Sequence, residues 1–569
     1  MAVTLLSLAL LASSALSTPI NAPRQAAPAV TIQNGTVVGT TAGNVDSFRG
    51  IPFAKPPVGN LRLKPPQSIT QGFGTLAATG PSASCPQFFV QTYDTSNLPA
   101  SAIALLADSP LFQVASNQKE DCLTMTVQRP TGTKAGDNLP VLFWIFGGGF
   151  EVGSNNMYDG SPIIRRSVQM GKPIIYVSVN YRVGGFGFLA GKELGKEGST
   201  NLGLRDQRLG LQWNAENIRA FGGDPDKVTI WGESAGAISV FDQLLVNGGD
   251  NTYKGKPLFR GAIMDSGSVI PVDSVSASQA QAVFDTVAKN AGCGGASDKL
   301  ACLRSKDYTT FLNAANSVPG IFSYRSLDLS YLPRPDPSDN FFPQSPEVPL
   351  KAGAYAKVPV IIGDQEDEGT LFSLVQSNIT TTQQLIDYLS TYFPNRPDAQ
   401  TLTTQLVSLY PEDPAAGSPF RTGQLNNVYP QYKRLAAILG DFAFTLTRRN
   451  TLNVIAKTVP SWSYLSSYFY GTPVIGTVHG SDLLPAYSLG GGLSIPSQTI
   501  QSYYISFVNN LDPNALGTAA PLINWPRYNP SSPQLLNLLA LTNTLIPDTF
   551  RLAASNFLAA NQEATRVKE

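Results

Sequence analysis

The stretch KVTIWGESAGAISVFDQLLV (residues 227–246) joins two kinds of pattern at one serine. Up to Glu233 it is a short apolar run rich in β-branched residues, the pattern of a buried strand. From Ala235 onward it reads as a helix. Between them, Gly232-Glu233-Ser234-Ala235-Gly236 matches the pentad G-x-S-x-G. A tight strand-to-helix turn forces its serine into a strained backbone conformation, which only small neighbours tolerate, and lifts the hydroxyl clear of the sheet. The Ala235 N–H then falls at a helix N-terminus, where a developing oxyanion is favoured. Ser234 is the candidate nucleophile.

Outward from this turn, strand patterns recur in LPVLFWIF (139–146), PIIYVSV (173–179), RGAIMDS (260–266), KVPVIIG (357–363) and SWSYLSS (461–467). Several are apolar nearly throughout, as strands covered on both faces are. Helical patterns lie between them, including DQRLGLQWNAENIRAF (206–221), for which Asp206 is a reasonable N-cap. This alternation predicts an α/β fold with a large, mostly parallel central sheet flanked by helices. Residues before about 120 read as a smaller antiparallel strand region. There is no repeat and no low-complexity linker, so one domain over 18–569 is the simplest organisation.

A serine nucleophile needs a base and an oxyanion hole. Phe146-Gly147-Gly148-Gly149-Phe150 directly follows a strand, and its glycines let backbone N–H groups approach a substrate unobstructed. The chain has a single histidine, His479, in Gly476-Thr477-Val478-His479-Gly480-Ser481-Asp482. If the mechanism is serine–histidine–acid, no other imidazole can serve. In such folds the acid lies between serine and histidine in the chain. There, Asp364-Gln365-Glu366-Asp367-Glu368-Gly369-Thr370 follows a strand and offers four carboxylates, among which residue chemistry does not choose.

FGGGFEVGS (146–154), VSVNYRVGGFGFLA (177–190), DQRLGLQWNAENIRAFGGDPDKVTIWGESAG (206–236) and IIGDQEDEGT (361–370) closely resemble the type-B carboxylesterase/lipase family. Within it they look most like the secreted fungal lipases of the Candida rugosa and Geotrichum type. The resemblance runs from about residue 30 to about 555. It implies an α/β-hydrolase fold, ester substrates, no cofactor, and a triad of Ser234, His479 and the carboxylate just before the glycine, Glu368, with Asp364 as runner-up. It also implies an oxyanion hole from the N–H groups of Gly148, Gly149 and Ala235, and a supporting role for Ser266. In those lipases the loop corresponding to residues 86–121 is a lid over the site. Here that loop carries apolar Ile103, Leu105, Leu106, Leu111 and Phe112. Ile238, Leu371 and Phe372 are candidates for an acyl pocket. Relatives that only bind or adhere typically lose the serine or the histidine; this chain keeps both.

Composition narrows the partners. Lys+Arg and Asp+Glu both number 40, so there is no basic field for nucleic acid or an anionic membrane. The N-terminus has an apolar run from Val3 to Leu11, with Ala15 and Ser17 placed for cleavage after Ser17, the pattern of a signal peptide over 1–17. No other stretch is long and apolar enough to span a membrane. Four cysteines in an exported chain read as disulfides, and sequence proximity pairs Cys85 with Cys122 and Cys293 with Cys302. One histidine and no Cys-x-x-Cys leave no zinc site. Asn34-Gly35-Thr36 and Asn378-Ile379-Thr380 are glycosylation sequons. The expected activity is hydrolysis of long-chain carboxylic esters at a lipid–water interface, in a secreted enzyme. The alternative is a carboxylesterase for soluble esters.

Overall fold

The computed structural model describes residues 26–89, 98–110, 113, 115–393, 396–489, 494–515 and 522–566. The expected leader at 1–17, and Leu111 and Phe112 of the expected lid, lie outside the described residues.

Eleven strands form the main sheet. In chain order they are β3 (Thr40–Ala42), β4 (Val45–Pro52), β6 (Thr124–Pro130), β7 (Leu139–Ile145), β8 (Ile175–Val179), β9 (Gly223–Glu233), β12 (Gly261–Asp265), β13 (Val360–Gln365), β14 (Ser461–Ser466), β15 (Gln534–Leu538) and β16 (Thr544–Pro547). Across the sheet they run β16-β15-β14-β13-β12-β9-β7-β8-β6-β4-β3. The central strands, from β15 through β8, are all parallel, and both margins are antiparallel. Outside the main sheet, β1 (Ala29–Ile32) pairs antiparallel with β2 (Gly35–Val38), and β5 (Gly74–Ala77) joins β2 in parallel. A two-stranded hairpin, β10 (Thr252–Tyr253) with β11 (Lys256–Pro257), lies on the surface.

The six strand patterns read from the sequence all become strands. Val141 to Ile145 of β7, and every residue of β8 and β12, are buried, which explains their unbroken apolar character. Gly363 interrupts the apolar run of β13 for a steric reason. A Cβ there would lie about 2.1 Å from the ring of Tyr464 on the neighbouring β14.

One helix start differs from the sequence reading. The helix runs Leu202–Asn217, and Asn201, with φ 53°, precedes it. Asp206 therefore sits inside the helix rather than capping it. Its carboxylate is taken by Arg182, which donates from Nε (2.8 Å), Nη2 (2.7 Å) and its backbone N–H (3.0 Å). As the fifth helical residue, Asp206 lies beyond the first-turn N–H groups that a cap serves, and its carboxylate serves Arg182 instead.

The disulfides Cys85–Cys122 and Cys293–Cys302 are both formed. The first tethers both ends of the 86–121 loop, in which Ala100–Asp108 is helical. Ala102 and Leu106, one turn apart, are buried on that helix, and Leu105 is half-buried. Ile103 remains 39% exposed.

Candidate active site

The elements that carry the candidate residues end side by side. Gly147–Gly149 follow β7, Ser234 follows β9, Ser266 follows β12, Glu368 follows β13 and His479 follows β14. In the sheet these strands are consecutive neighbours, and the residues gather beyond their carboxyl ends. Ligands bind in that position in open α/β sheets.

Ser234 turns sharply at φ 56°, ψ −126°, a strained conformation for a residue with a side chain. The neighbouring glycines leave no room for anything larger. A Cβ at Gly232 would meet the Gly236 carbonyl oxygen at 2.3 Å, and one at Gly236 would meet that of Ile145 at 2.1 Å. The turn is fixed by the Ser234 N–H donating to Asp265 O (2.9 Å) and by the Ile238 N–H donating to Ser234 O (2.9 Å). The helix Ala235–Leu245 starts immediately, so the Ala235 N–H is one of its unsatisfied first-turn donors.

The Ser234 hydroxyl lies 2.8 Å from His479 Nε2, and His479 Nδ1 lies 2.5 Å from Glu368 Oε2. The other Glu368 oxygen, Oε1, accepts from Ser266 Oγ (2.6 Å) and the Gln365 N–H (2.6 Å). Ser266 thus holds the acid that holds the base. The remaining carboxylates of the 364–368 turn face elsewhere. Asp364 Oδ2 accepts from Arg448 Nε at 2.7 Å, and Glu366 pairs with the half-exposed Arg421. Asp367 accepts from the Phe420 and Thr477 N–H groups and the Ser418 hydroxyl, which stitches the acid turn to the histidine loop.

Gly148 (φ 113°) and Gly149 (φ 63°) adopt backbone conformations that favour glycine. Gly149, Ser234 and Ala235 line one cavity that opens to solvent. Its walls are largely apolar, from Phe150, Ile270, Ile321, Leu329, Phe372 and Phe444 among others. Ile238 and Phe372 line it. Leu371 is buried but is not among the lining residues, and neither is Gly148. Phe372 and Phe444 also pack on the imidazole, with ring centroids 5.1 and 4.5 Å away.

No described residue of the 86–121 loop lines this cavity. The start of the loop is nonetheless anchored beside it. The Phe88 N–H donates to Glu151 O (2.9 Å), just beyond the glycine loop, and Phe88 and Phe89 share a small cleft with Ile321. Asn378 is exposed. Asn34 is half-buried, and its amide donates to the carbonyls of Ile69 and Gln71 at 3.3 Å. No group of metal-ligating side chains occurs among the described residues, and no helix among them is long and apolar enough to cross a membrane.

Glu233, beside the serine, was not singled out by the sequence. It is fully buried, neither carboxyl oxygen has a hydrogen-bond partner, and Oε1 lies 3.4 Å from His479 Nε2. Burial, then the nearby charges of Asp482, Glu368 and Asp265, pushes this carboxyl well above its usual range. It is therefore neutral in the folded protein at pH values where the unfolded chain ionises it. Such a group favours the folded state fully below pH 4 or so, and that stability is lost as pH rises toward the folded pKa. The slope is about 1.4 kcal/mol per pH unit. Glu233→Gln is expected to flatten the decline of the urea midpoint between pH 5 and 8. A variant with an unchanged slope would show that Glu233 ionises in the native state.

The Carboxylesterase family matches residues 26–557. The chain belongs to this family. It is 57% identical over 543 residues to secreted lipase 1 of Botryotinia fuckeliana (strain B05.10), covering 95% of this chain and 94% of that protein. It is 52% identical over 555 residues to a secreted triacylglycerol lipase of Gibberella zeae, covering 96% and 92%. Among solved structures, EstA of Aspergillus niger superposes with a TM-score of 0.77 at 27% identity, covering 95% of this chain and 99% of that one. The fold is that of the α/β-hydrolase esterases.

Proposed function

We propose that this secreted carboxylic ester hydrolase cleaves long-chain esters through an acyl-enzyme on Ser234. The observation that carries this reading is the hydrogen-bonded line from Glu368 through His479 to Ser234, opening on an apolar cavity. His479 Nε2 takes the hydroxyl proton as Ser234 Oγ attacks the ester carbonyl carbon. The carbonyl oxygen becomes an oxyanion, held by the N–H groups of Ala235, Gly149 and Gly148. Glu368 fixes the imidazole and stabilises its cationic form. Collapse expels the alcohol, which leaves with the proton from Nε2. Water, deprotonated by the same nitrogen, then releases the acid and restores the serine. Two relatives are named as secreted lipases, and the paired cysteines and leader-like N-terminus suit the same compartment.

The finer reading is action at a lipid–water interface. It is supported by Phe89, 51% exposed, and Ile103, 39% exposed, on the loop tethered by Cys85–Cys122 beside the cavity. In water these side chains gain nothing. At a lipid surface, burying the part of each that is still exposed contributes about 1 kcal/mol, which populates the loop conformation that seats there. Rates on a partly soluble triglyceride are expected to rise sharply past its solubility limit. Phe89→Ser with Ile103→Ser should flatten that rise and spare nitrophenyl butyrate. Simple saturation through the limit would assign the enzyme to soluble esters instead.

A further inference from the structure

The wall of the cavity carries a group that hydrolysis does not use. Asp242 lines the cavity and is only 1% exposed, and its Oδ1 has no hydrogen-bond partner. It lies on the helix that begins after Ser234. Ser234, Ile238 and Asp242 are spaced four apart, so they form one stripe along that helix, and all three line the same space. Eight residues at about 1.5 Å each place Asp242 about 12 Å from the serine. An extended chain advances about 1.2 Å per bond, judging from the ~3.3–3.6 Å spanned by three backbone bonds, so this distance is on the order of ten carbons.

Further polar groups line the same cavity from separate elements. Asn450 projects from the helix Leu446–Ile455, and Gln562 and Thr565 follow the helix Leu552–Ala560. No lining residue there is cationic. A buried polar atom without a partner is destabilising, so the unfilled Oδ1 of Asp242 in a mostly apolar wall marks a place for a hydrogen-bonding ligand group. Desolvation pushes its carboxyl well above the usual range, which favours the neutral form. A neutral carboxyl offers one donor and an acceptor, and the two amides offer both kinds as well. That set matches a hydroxyl. It does not match a second carboxylate, which would find no positive charge.

We infer that the inner end of the cavity is a hydrogen-bonding subsite for a hydroxyl carried on the acyl chain about ten carbons from the ester carbonyl. Asp242 is the residue that recognises it. The substrates singled out are esters of hydroxylated fatty acids. This inference rests on the reading that the acyl chain of an ester occupies the cavity during hydrolysis.

The test compares nitrophenyl decanoate with nitrophenyl 10-hydroxydecanoate. The expected result is a kcat/KM ratio favouring the hydroxylated ester by about 3–10-fold, the worth of one net hydrogen bond. Asp242→Leu should bring the ratio below one, and Asp242→Asn, which keeps a donor and an acceptor, should hold it above one. Equal kcat/KM for the two esters in the native enzyme would overturn the inference while leaving ester hydrolysis intact. If neither ester is cleaved, the proposed activity fails instead, and calorimetric binding of 10-hydroxydecanoate against decanoate still decides the subsite. Tighter binding of the hydroxy acid, lost in Asp242→Leu, supports it. Equal binding rejects it. Should Asp242→Leu fail to fold, moving the hydroxyl from carbon 10 to carbon 6 in the native enzyme replaces the variant. Undiminished preference for the 6-hydroxy chain would place recognition somewhere other than Asp242.

Discussion

Ser234→Ala and His479→Ala are each expected to lower kcat by about 10⁴–10⁶-fold, and the double variant to be scarcely worse than either single one. The reason lies in the two contacts that make the line a unit. With His479 Nε2 2.8 Å from Ser234 Oγ, removing the imidazole leaves a neutral hydroxyl that attacks poorly. Removing the hydroxyl leaves the imidazole nothing to activate except water. Glu368→Gln should cost about 10⁴-fold, because an amide facing Nδ1 favours the wrong tautomer. Ser266→Ala is a smaller change. It removes one of the two donors to Glu368 Oε1 and leaves the Gln365 N–H in place, so a loss of about tenfold is the expected ceiling. Steady-state hydrolysis of a soluble nitrophenyl ester reads all five variants, with circular dichroism as the folding control. Losses that add in the double variant would mean that Ser234 and His479 do not share one step.

What the sequence made readable follows from how local each signal is. The strands could be read because burial on both faces leaves apolar runs such as VLFWI and VIIG, which no exposed element tolerates. The serine turn was readable because its constraint is steric and spans five residues. His479 could be named because it has no rival in the chain. The acid was different. Four carboxylates within five residues look alike in sequence, and only the family resemblance chose among them. The structure separates them by what each one faces: Arg448, Arg421, three hydrogen-bond donors, or the imidazole. Asp206 was misjudged as a cap because its partner, Arg182, lies 24 residues away in sequence. Glu233 and His479 meet across a still larger separation, so their proximity left no local trace. Asp242 did leave one, as a lone acid on an otherwise apolar stripe of the Ser234 helix, but its meaning depends on the cavity it faces. Leu371 and Phe372 are adjacent and equally apolar, and only Phe372 reaches the cavity.

Asp548→Ala is expected to lower the unfolding free energy at pH 7 by about 3–5 kcal/mol, a large share of the ~5–15 kcal/mol that holds a protein folded. Asp548 is completely buried and accepts five hydrogen bonds. Arg448 gives two (Nη1 and Nη2, both 3.0 Å), Arg449 gives two (Nε 3.0 Å, Nη2 2.7 Å) and the Tyr528 hydroxyl gives one (2.8 Å). Truncation would strand two buried guanidiniums with one fewer counter-charge, and stranded charge is the costly outcome of breaking a buried pair. Burial alone would raise the Asp548 carboxyl, but the two guanidiniums, Arg448 foremost, overcome it and hold the group well below the usual carboxylate range. The sign follows from that depression. The contribution is fully present above the unfolded pKa near 4 and is lost as pH falls through the folded value, so Asp548→Ala should flatten the acid limb of stability below pH 4. The site would feel the change as well. Arg448 also holds Asp364, which opens the turn carrying Glu368, so a freed Arg448 loosens the acid and lowers kcat more than KM. Urea unfolding and ester hydrolysis measured on the same variant separate the two effects. A loss below about 1 kcal/mol would mean that this cluster contributes no more than an exposed ion pair, and that the acid turn is held by Asp367 and its three donors alone.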